Sequence, residues 1–296
     1  MEINKKQFSI LAILATEKET LTQRQIEKLT NYSLGTINKI IKELTEIDLV
    51  NNGKITKKGL EVLEHFKVKR AVFIAAGFGS RLVPITLNTP KPLVRVNGVR
   101  IIDGLIDACL KAGIDDIIIV RGYLGEQFDQ LLYKYPKLKF IDNPLYNEAN
   151  NISSALVAKD YLKNAYVFEA DLLISNPSII RTYHYCSNFL GIKTERSDDW
   201  CFVVKNGLIK EQKVGGINCY QMVGISYWNE EDGVKLSTRI KEAYEMPGGK
   251  ELYWEQIPLS VFKNDFKVAI RECKQDDIVE IDTFGELKAI DKSYDI

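Results

Sequence analysis

At 296 residues, with 45% apolar and 27% charged content, the chain can bury one large or two modest cores and has the make-up of an ordinary globular protein. Forty Lys and Arg balance forty Asp and Glu, which excludes the overall basicity of a dedicated nucleic-acid binder. Five scattered cysteines (109, 186, 201, 219, 273) form no Cys-x-x-Cys pair and read as reduced thiols of a cytoplasmic protein, and no run approaches the roughly 20 apolar residues of a membrane helix.

Residues 1–68 read as a separate small domain. Residues 8–15 follow Lys5-Lys6 and mimic a signal peptide, but Ile10, Leu11 and Leu14 have helical spacing and no small-residue cleavage motif follows, so residues 5–16 are a core helix. Thr22 with Gln25 forms a capping box for a helix over 23–30, and Ser33 caps another over 34–46, with Ile37, Ile40, Ile41 and Leu44 on its inner face. Asn52-Gly53 between strand-like flanks predicts a hairpin, followed by a helix over 57–66. Three helices, hairpin and helix resemble a winged helix-turn-helix of bacterial regulators, which implies that Ser33, Thr36, Asn38 and Lys39 face a DNA major groove with Lys54 on the wing. Eleven Lys/Arg minus nine Asp/Glu over residues 1–67 gives only +2, so a packing or dimerising module without DNA affinity remains the competing reading.

The second domain, 69–296, opens on a buried strand over 70–75 that runs into Ala76-Gly77-Phe78-Gly79-Ser80-Arg81. Two glycines let the backbone turn tightly and bring bare N–H groups to an anion. Arg81 can fork onto phosphate oxygens, and Lys91, between Pro90 and Pro92, adds a point charge. The pattern has neither the Gly-Lys-Ser/Thr of a Walker loop nor the third glycine of a dinucleotide fingerprint. With Pro90-Lys91-Pro92-Leu93 it resembles the signature of the nucleotidyltransferase superfamily, which couples a nucleoside triphosphate to a phosphorylated small molecule.

Beyond it, helices over 101–112, 125–135 and 151–159 alternate with strands over 116–120, 139–142 and 165–170. This predicts an α/β fold: a Rossmann-like, mostly parallel mixed sheet flanked by helices, with ligands at the carboxyl ends of the strands. His184 reads as part of a Tyr-rich helix. After Asp171 a hairpin around Asn206-Gly207, a strand over 221–228 and short strands over 268–273 and 277–282 read as a small antiparallel lid over the acceptor site.

Asp171 and Asp282 each close an apolar strand. An Asp there can simply cap a turn, but two beside the cradle suit Mg²⁺, which takes carboxylates plus substrate phosphates. The superfamily's metal aspartates come from matching strand ends, so the resemblance implies that Asp171 and Asp282 hold the metal. The implied reaction is in-line nucleotidyl transfer by an acceptor phosphate that is already ionised and needs no base.

Stretches such as Gly122-Tyr123-Leu124, Asn150-Asn151, Asp199-Trp200, Leu252-Tyr253-Trp254 and Glu280-Ile281-Asp282 narrow the resemblance to bacterial CTP:phosphocholine cytidylyltransferases of the LicC kind over residues 70–290. Arg121 interrupts the usual Val-Gly-Tyr, and the small domain is absent from the minimal enzymes. That kinship implies CTP, Mg²⁺ and a phosphorylated amino-alcohol. It implies nucleotide contacts from Ala76, Gly77, Phe78, Gly79, Ser80, Arg81, Lys91, Gly122, Asn151, Ser153 and Asp171. Trp200, Tyr227 and Trp254, with Glu255 and Glu280, are expected to cage the cationic head group. Asn151 and Ser153 have the alternative of a plain helix cap, and the tryptophans of core packing. Phosphoethanolamine or 2-aminoethylphosphonate would fit if a carboxylate took the amine's donors. A sugar-1-phosphate transferase and a regulator sensing nucleotides are the rival readings, and the sequence leaves a homodimer open.

Overall fold

The computed structural model describes residues 2–17 and 19–295, which form two compact units. The first runs to Lys67 and includes Thr182–Tyr185. Its helices are α1 (Lys5–Thr16), α2 (Gln23–Thr30), α3 (Leu34–Glu46) and α4 (Lys57–Leu63), with a hairpin of β1 (Val50–Asn51) and β2 (Lys54–Ile55) before the last. Asn4, Thr22, Ser33 and Thr56 each accept a backbone N–H at a helix start. A three-residue turn with Asn31 in the left-handed region joins α2 to α3. Ile10, Leu11, Ile26, Ile37, Leu44, Leu49 and Leu63 make the core, and Phe8, Phe66 and Tyr185 stack beside it. The predicted helix at 57–66 tightens to a 3₁₀ turn after Leu63. His184 is not helical: its amide donates to Phe66 O at 2.9 Å, and Tyr183 bridges Lys67, so the segment is extended.

The second unit holds a seven-stranded sheet. Its strands and helices are β3 (Arg70–Ile74), a short hairpin of β4 (Arg95–Val96) and β5 (Val99–Arg100), α5 (Ile101–Lys111), β6 (Ile117–Arg121), β7 (Lys139–Asp142), α6 (Ile152–Val157), β8 (Ala165–Glu169) and β9 (Leu172–Ile174). Then come β10 (Asn188–Lys205), β11 (Leu208–Trp228), α7 (Glu230–Glu245), β12 (Ala269–Cys273), β13 (Ile278–Glu280) and α8 (Phe284–Ile290). The order is β10-β12-β11-β8-β3-β6-β7, with β8, β3, β6 and β7 parallel and β11 antiparallel to β8. Apolar residues on both faces explain the near-continuous hydrophobic runs: Phe73, Ile119 and Phe168 face one cluster, Val72, Ile118 and Val167 the other.

The late strands supply the antiparallel part of the fold, and β10, β11 and β12 also join the seven-stranded sheet. β10 and β11 are one long, bulged hairpin, and the expected strand over 221–228 is the end of β11, hydrogen-bonded to β8. β12 runs parallel to β10 and antiparallel to β11, and β13 forms a small antiparallel pair with β9. The segment over 125–133 is 3₁₀ rather than α-helical.

Candidate active site

β3 ends at Ile74, and the chain then turns through Gly77 and Gly79. Gly79 sits at φ +62°, and a Cβ there would stand 2.9 Å from the Lys91 Cβ, so only glycine lets the loop pass over that side chain. Thr86 Oγ1 donates to Gly79 O at 2.8 Å and pins the turn. Gly77, Gly79, Ser80, Arg81, Lys91, Asp171 and Asp282 line one cleft of about 250 Å³.

Lys91 is the hinge of its electrostatics. The side chain is 10% exposed, and its Nζ lies 2.6 Å from Asp171 Oδ2 and 3.1 Å from Asp282 Oδ1. Burial alone would lower its pKa; the two carboxylates outweigh burial and hold it above the ordinary lysine value. Arg81 forks onto the same Asp282 at 3.0 and 2.7 Å. Asp282 is itself fixed because its amide and that of Thr283 both donate to Glu286, the capping box of α8.

The two aspartates meet because β9 pairs antiparallel with β13 and Ile281 N donates to Asp171 O at 3.2 Å. The same pairing brings in two more carboxylates. Glu169, Asp171 and Glu280 each offer an oxygen within 4.8 Å of the others. Glu280 is pushed up to about 8 by burial first, then by Asp171 and Asp282. Glu169 is held well above the carboxylate range by burial, then by Glu255, Asp171 and Glu280. Asp171 Oδ1 is buried with no hydrogen-bond partner. Crowded hard oxygens, one without a donor, fit a divalent cation. Glu169 was not singled out from sequence, although Glu169-Ala170-Asp171 and Glu280-Ile281-Asp282 repeat one acidic spacing whose period of two puts both carboxylates on one side.

Two further clefts flank the cradle. One of about 480 Å³ shares Gly77 with it and is lined by Ala76, Phe78, Tyr146, Asn151, Ser153 and Ser154 among others. Phe78 packs on Tyr123 and Tyr146 at 5.1 and 5.4 Å and presents a half-exposed aromatic face. Ser153 and Ser154 accept from Asn143 Nδ2, and Asn151 accepts from Trp254 N. Gly122 does not line this cleft; it packs between Tyr146 and Ala76, where a side chain would collide. The other cleft, of about 320 Å³, shares Asp282 with the cradle and carries Asp199, Glu280 and Glu286 with Gln221, Met222 and Gln275.

The expected aromatic cage is not assembled. Tyr227 is fully buried opposite Tyr166, two residues below the Ile225–Phe168 pair and so away from the strand ends. Trp254 is 2% exposed and packs with Phe189 and Trp228 in the core. Glu255, also 2% exposed, lies against Glu169 beneath the acidic cluster. Their apolar surface serves the sheet, the outcome the alternation of aromatics on strands favours. Trp200 is half-buried and stands edge-on to Tyr253 at 6.0 Å.

Residues 70–188 match the nucleotidyl transferase family. The 2-aminoethylphosphonate cytidylyltransferase of Lancefieldella rimae is 36% identical over 76% of this chain and 92% of its own length. The choline-phosphate cytidylyltransferase of Streptococcus pneumoniae is 31% identical over 75% of this chain and 97% of its own. A solved structure of the CTP:phosphocholine cytidylyltransferase from Streptococcus pneumoniae superposes with a TM-score of 0.71 at 30% identity, over 77% of this chain and 99% of that one. With this fold, this cradle and these relatives, the chain belongs to the nucleotidyl transferase family and is an enzyme of that class.

Proposed function

We propose that the protein is a cytidylyltransferase that moves CMP from CTP to an acceptor bearing a phosphate or phosphonate and a primary ammonium group, releasing pyrophosphate. The similarity to relatives named for 2-aminoethylphosphonate and choline phosphate supports the reaction and the acceptor class. One observation carries the choice of head group. The cleft beyond Asp282 holds four carboxylates, Asp199, Glu280, Asp282 and Glu286, and among the described residues none that lines it is aromatic. A primary ammonium has three N–H donors for such a wall. A trimethylammonium has none and relies on aromatic faces. Phosphocholine is the second reading, favoured by Trp200 and Tyr253 standing together beside Asp199.

The nucleotide triphosphate would lie in the cradle, its charge met by backbone N–H groups, Arg81 and Lys91, with the base in the cleft of Phe78, Asn151 and Ser153. Both cations already stand at the cleft, held by Asp171 and Asp282, so little reorganisation precedes binding. The acceptor oxyanion attacks the α-phosphorus, the new P–O bond forms, and the bond to pyrophosphate breaks with both its electrons. Asp171, Glu169 and Glu280, with Asp282 alongside, would hold Mg²⁺, which supplies neutralisation of phosphate charge. Alignment in adjoining clefts does the rest.

The rest of the reading concerns the first unit, which we take as a winged helix-turn-helix module fused to the enzyme, and the cell compartment, which we take as the cytoplasm, a reading that the five free thiols and the demand for CTP support. To test the head group, kcat/KM is measured with CTP for 2-aminoethylphosphonate, phosphoethanolamine and phosphocholine. The primary amines should exceed phosphocholine by at least about 10-fold, the worth of roughly one cation contact. A preference for phosphocholine would instead assign the acceptor to the Trp200–Tyr253 pair.

A further inference from the structure

Arg121 lines none of the three clefts, yet it ties together the two segments that wall the cleft of Phe78, Asn151 and Ser153. It is the last residue of β6, and its side chain is only 16% exposed. The guanidinium lies over the Phe140 ring of β7, with Cζ 4.5 Å from the centroid. From there its donors spread three ways: Nε to Asp142 Oδ1 at 2.7 Å, and Nη1 to Asp129 Oδ1 at 2.6 Å and to Gly125 O at 3.2 Å. Its own carbonyl accepts from Asn143 N at 2.8 Å. A guanidinium can stack and donate along several directions at once, which a lysine ammonium cannot reproduce.

One wall hangs on the turn Gly122-Tyr123-Leu124-Gly125. Tyr123 packs on Phe78, its amide donates to Ala76 O at 3.1 Å, and its hydroxyl donates to the carbonyls of Thr86 and Leu87. Leu124 stands at φ +48°, a left-handed backbone that a leucine side chain disfavours. The bond from Arg121 Nη1 to Gly125 O closes the turn around that residue. The other wall hangs on the end of β7. Asn143, 2% exposed, donates Nδ2 to the hydroxyls of Ser153 and Ser154 at 3.0 Å each and accepts from Leu145 N at 2.9 Å. Tyr146 follows and packs on both Gly122 and Phe78. Arg121 thus holds the start of both walls, through Gly125 on one side and through Asp142 and Asn143 on the other.

We propose that Arg121 is a positioning residue for the nucleoside end of the donor substrate. It fixes the aromatic wall and the Asn151–Ser154 wall relative to each other, so the base enters a slot that is already formed and little ordering remains to be done on binding. The inference rests on placing the base in that cleft. It concerns the position at which the chain departs from the Val-Gly-Tyr usual in the LicC kind. Neither the phosphate cradle nor the acceptor cleft includes Arg121, so its effect should be confined to the nucleoside.

The test is titration calorimetry of the full-length protein with CTP and with pyrophosphate, each in Mg²⁺, beside steady-state kinetics. Pyrophosphate reaches the cradle alone and so reports on the cations without the base. Arg121→Met should weaken CTP about 10-fold and raise its KM by the same factor, while pyrophosphate affinity, kcat and the acceptor KM stay within about 2-fold of the parent. Arg121→Lys should fall between the two. Asp129 and Asp142 are largely exposed, so these ion pairs contribute little to stability and the melting temperature should drop by no more than a few degrees. Arg239→Met is the matched control. Arg239 also stacks on a ring, Phe262 at 4.5 Å, and pairs with two carboxylates, Asp265 and Glu242, but lines none of the three clefts. That variant should bind CTP as the parent does. Unchanged CTP affinity in Arg121→Met, equal weakening of CTP and pyrophosphate, or an equal loss in Arg239→Met would each overturn the proposal. If the parent prefers another nucleoside triphosphate, the donor reading fails, and the same comparison with that nucleotide still decides the role of Arg121.

Discussion

Lys91 sits 2.6 Å from Asp171 and 3.1 Å from Asp282, a cation where phosphate charge and a divalent ion are to compete for the same carboxylates. Replacing it by Met should lower kcat by at least about 100-fold, because a preorganised charge at the reacting phosphates is lost. The same change leaves part-buried Asp171 without its counter-charge and Asp282 with Arg81 alone, so the melting temperature without metal should fall and Mg²⁺ should restore it. A Mg²⁺ titration followed by thermal melting checks both statements. Gly79→Ala should also lose activity, since the new methyl meets the Lys91 Cβ at 2.9 Å on a left-handed backbone. At this scale much was readable: the cradle, Arg81, Lys91, Asp171 and Asp282 converge as their residue types and spacing implied. Glu169 escaped because a carboxylate inside an apolar strand reads as that strand's exposed face, and only the β9–β13 pairing reveals its partners.

At the scale of elements, strand ends were legible and strand partners were not. Apolar runs named β3, β6 and β8 correctly, since burial on both faces gives them unbroken hydrophobicity. Tyr227 and Trp254 were misplaced for a reason of the same kind. An aromatic on a strand can face a cavity or a core, and only register decides; Tyr227 opposite Tyr166 and Trp254 against Phe189 face cores. Trp254→Ala is therefore a stability mutation. It should cost about 3–5 kcal/mol and lower the melting temperature of the catalytic unit by roughly 10 °C, as large-to-small core changes do. Under conditions where the variant stays folded, KM for CTP and for the acceptor should move by similar factors. A selective rise in acceptor KM with unchanged melting would return Trp254 to the head-group site.

Across the whole molecule, the acidic cluster ties stability to pH. Glu280 in the folded protein sits at about 8, pushed up by burial and by Asp171 and Asp282, against an ordinary value of 4.5. The folded state therefore holds a proton that the unfolded state has shed over that interval, so the stabilisation is full below about 4.5 and is lost as pH rises through 8. In chelator, the melting temperature should fall between these limits, and Mg²⁺ should flatten the slope; a melting temperature that rises over the interval would argue against a crowded, proton-sharing site. Asp171 joins every part of this picture, as partner of Lys91, neighbour of Glu169 and Glu280, and bearer of an oxygen with no donor. The most direct measurement is pyrophosphate release from CTP and 2-aminoethylphosphonate by the parent and by Asp171→Asn, with melting curves of both. The parent should turn over only with Mg²⁺, and the variant should fall by at least about 1,000-fold with its fold retained. Turnover within a few-fold of the parent in a folded Asp171→Asn protein would contradict the account.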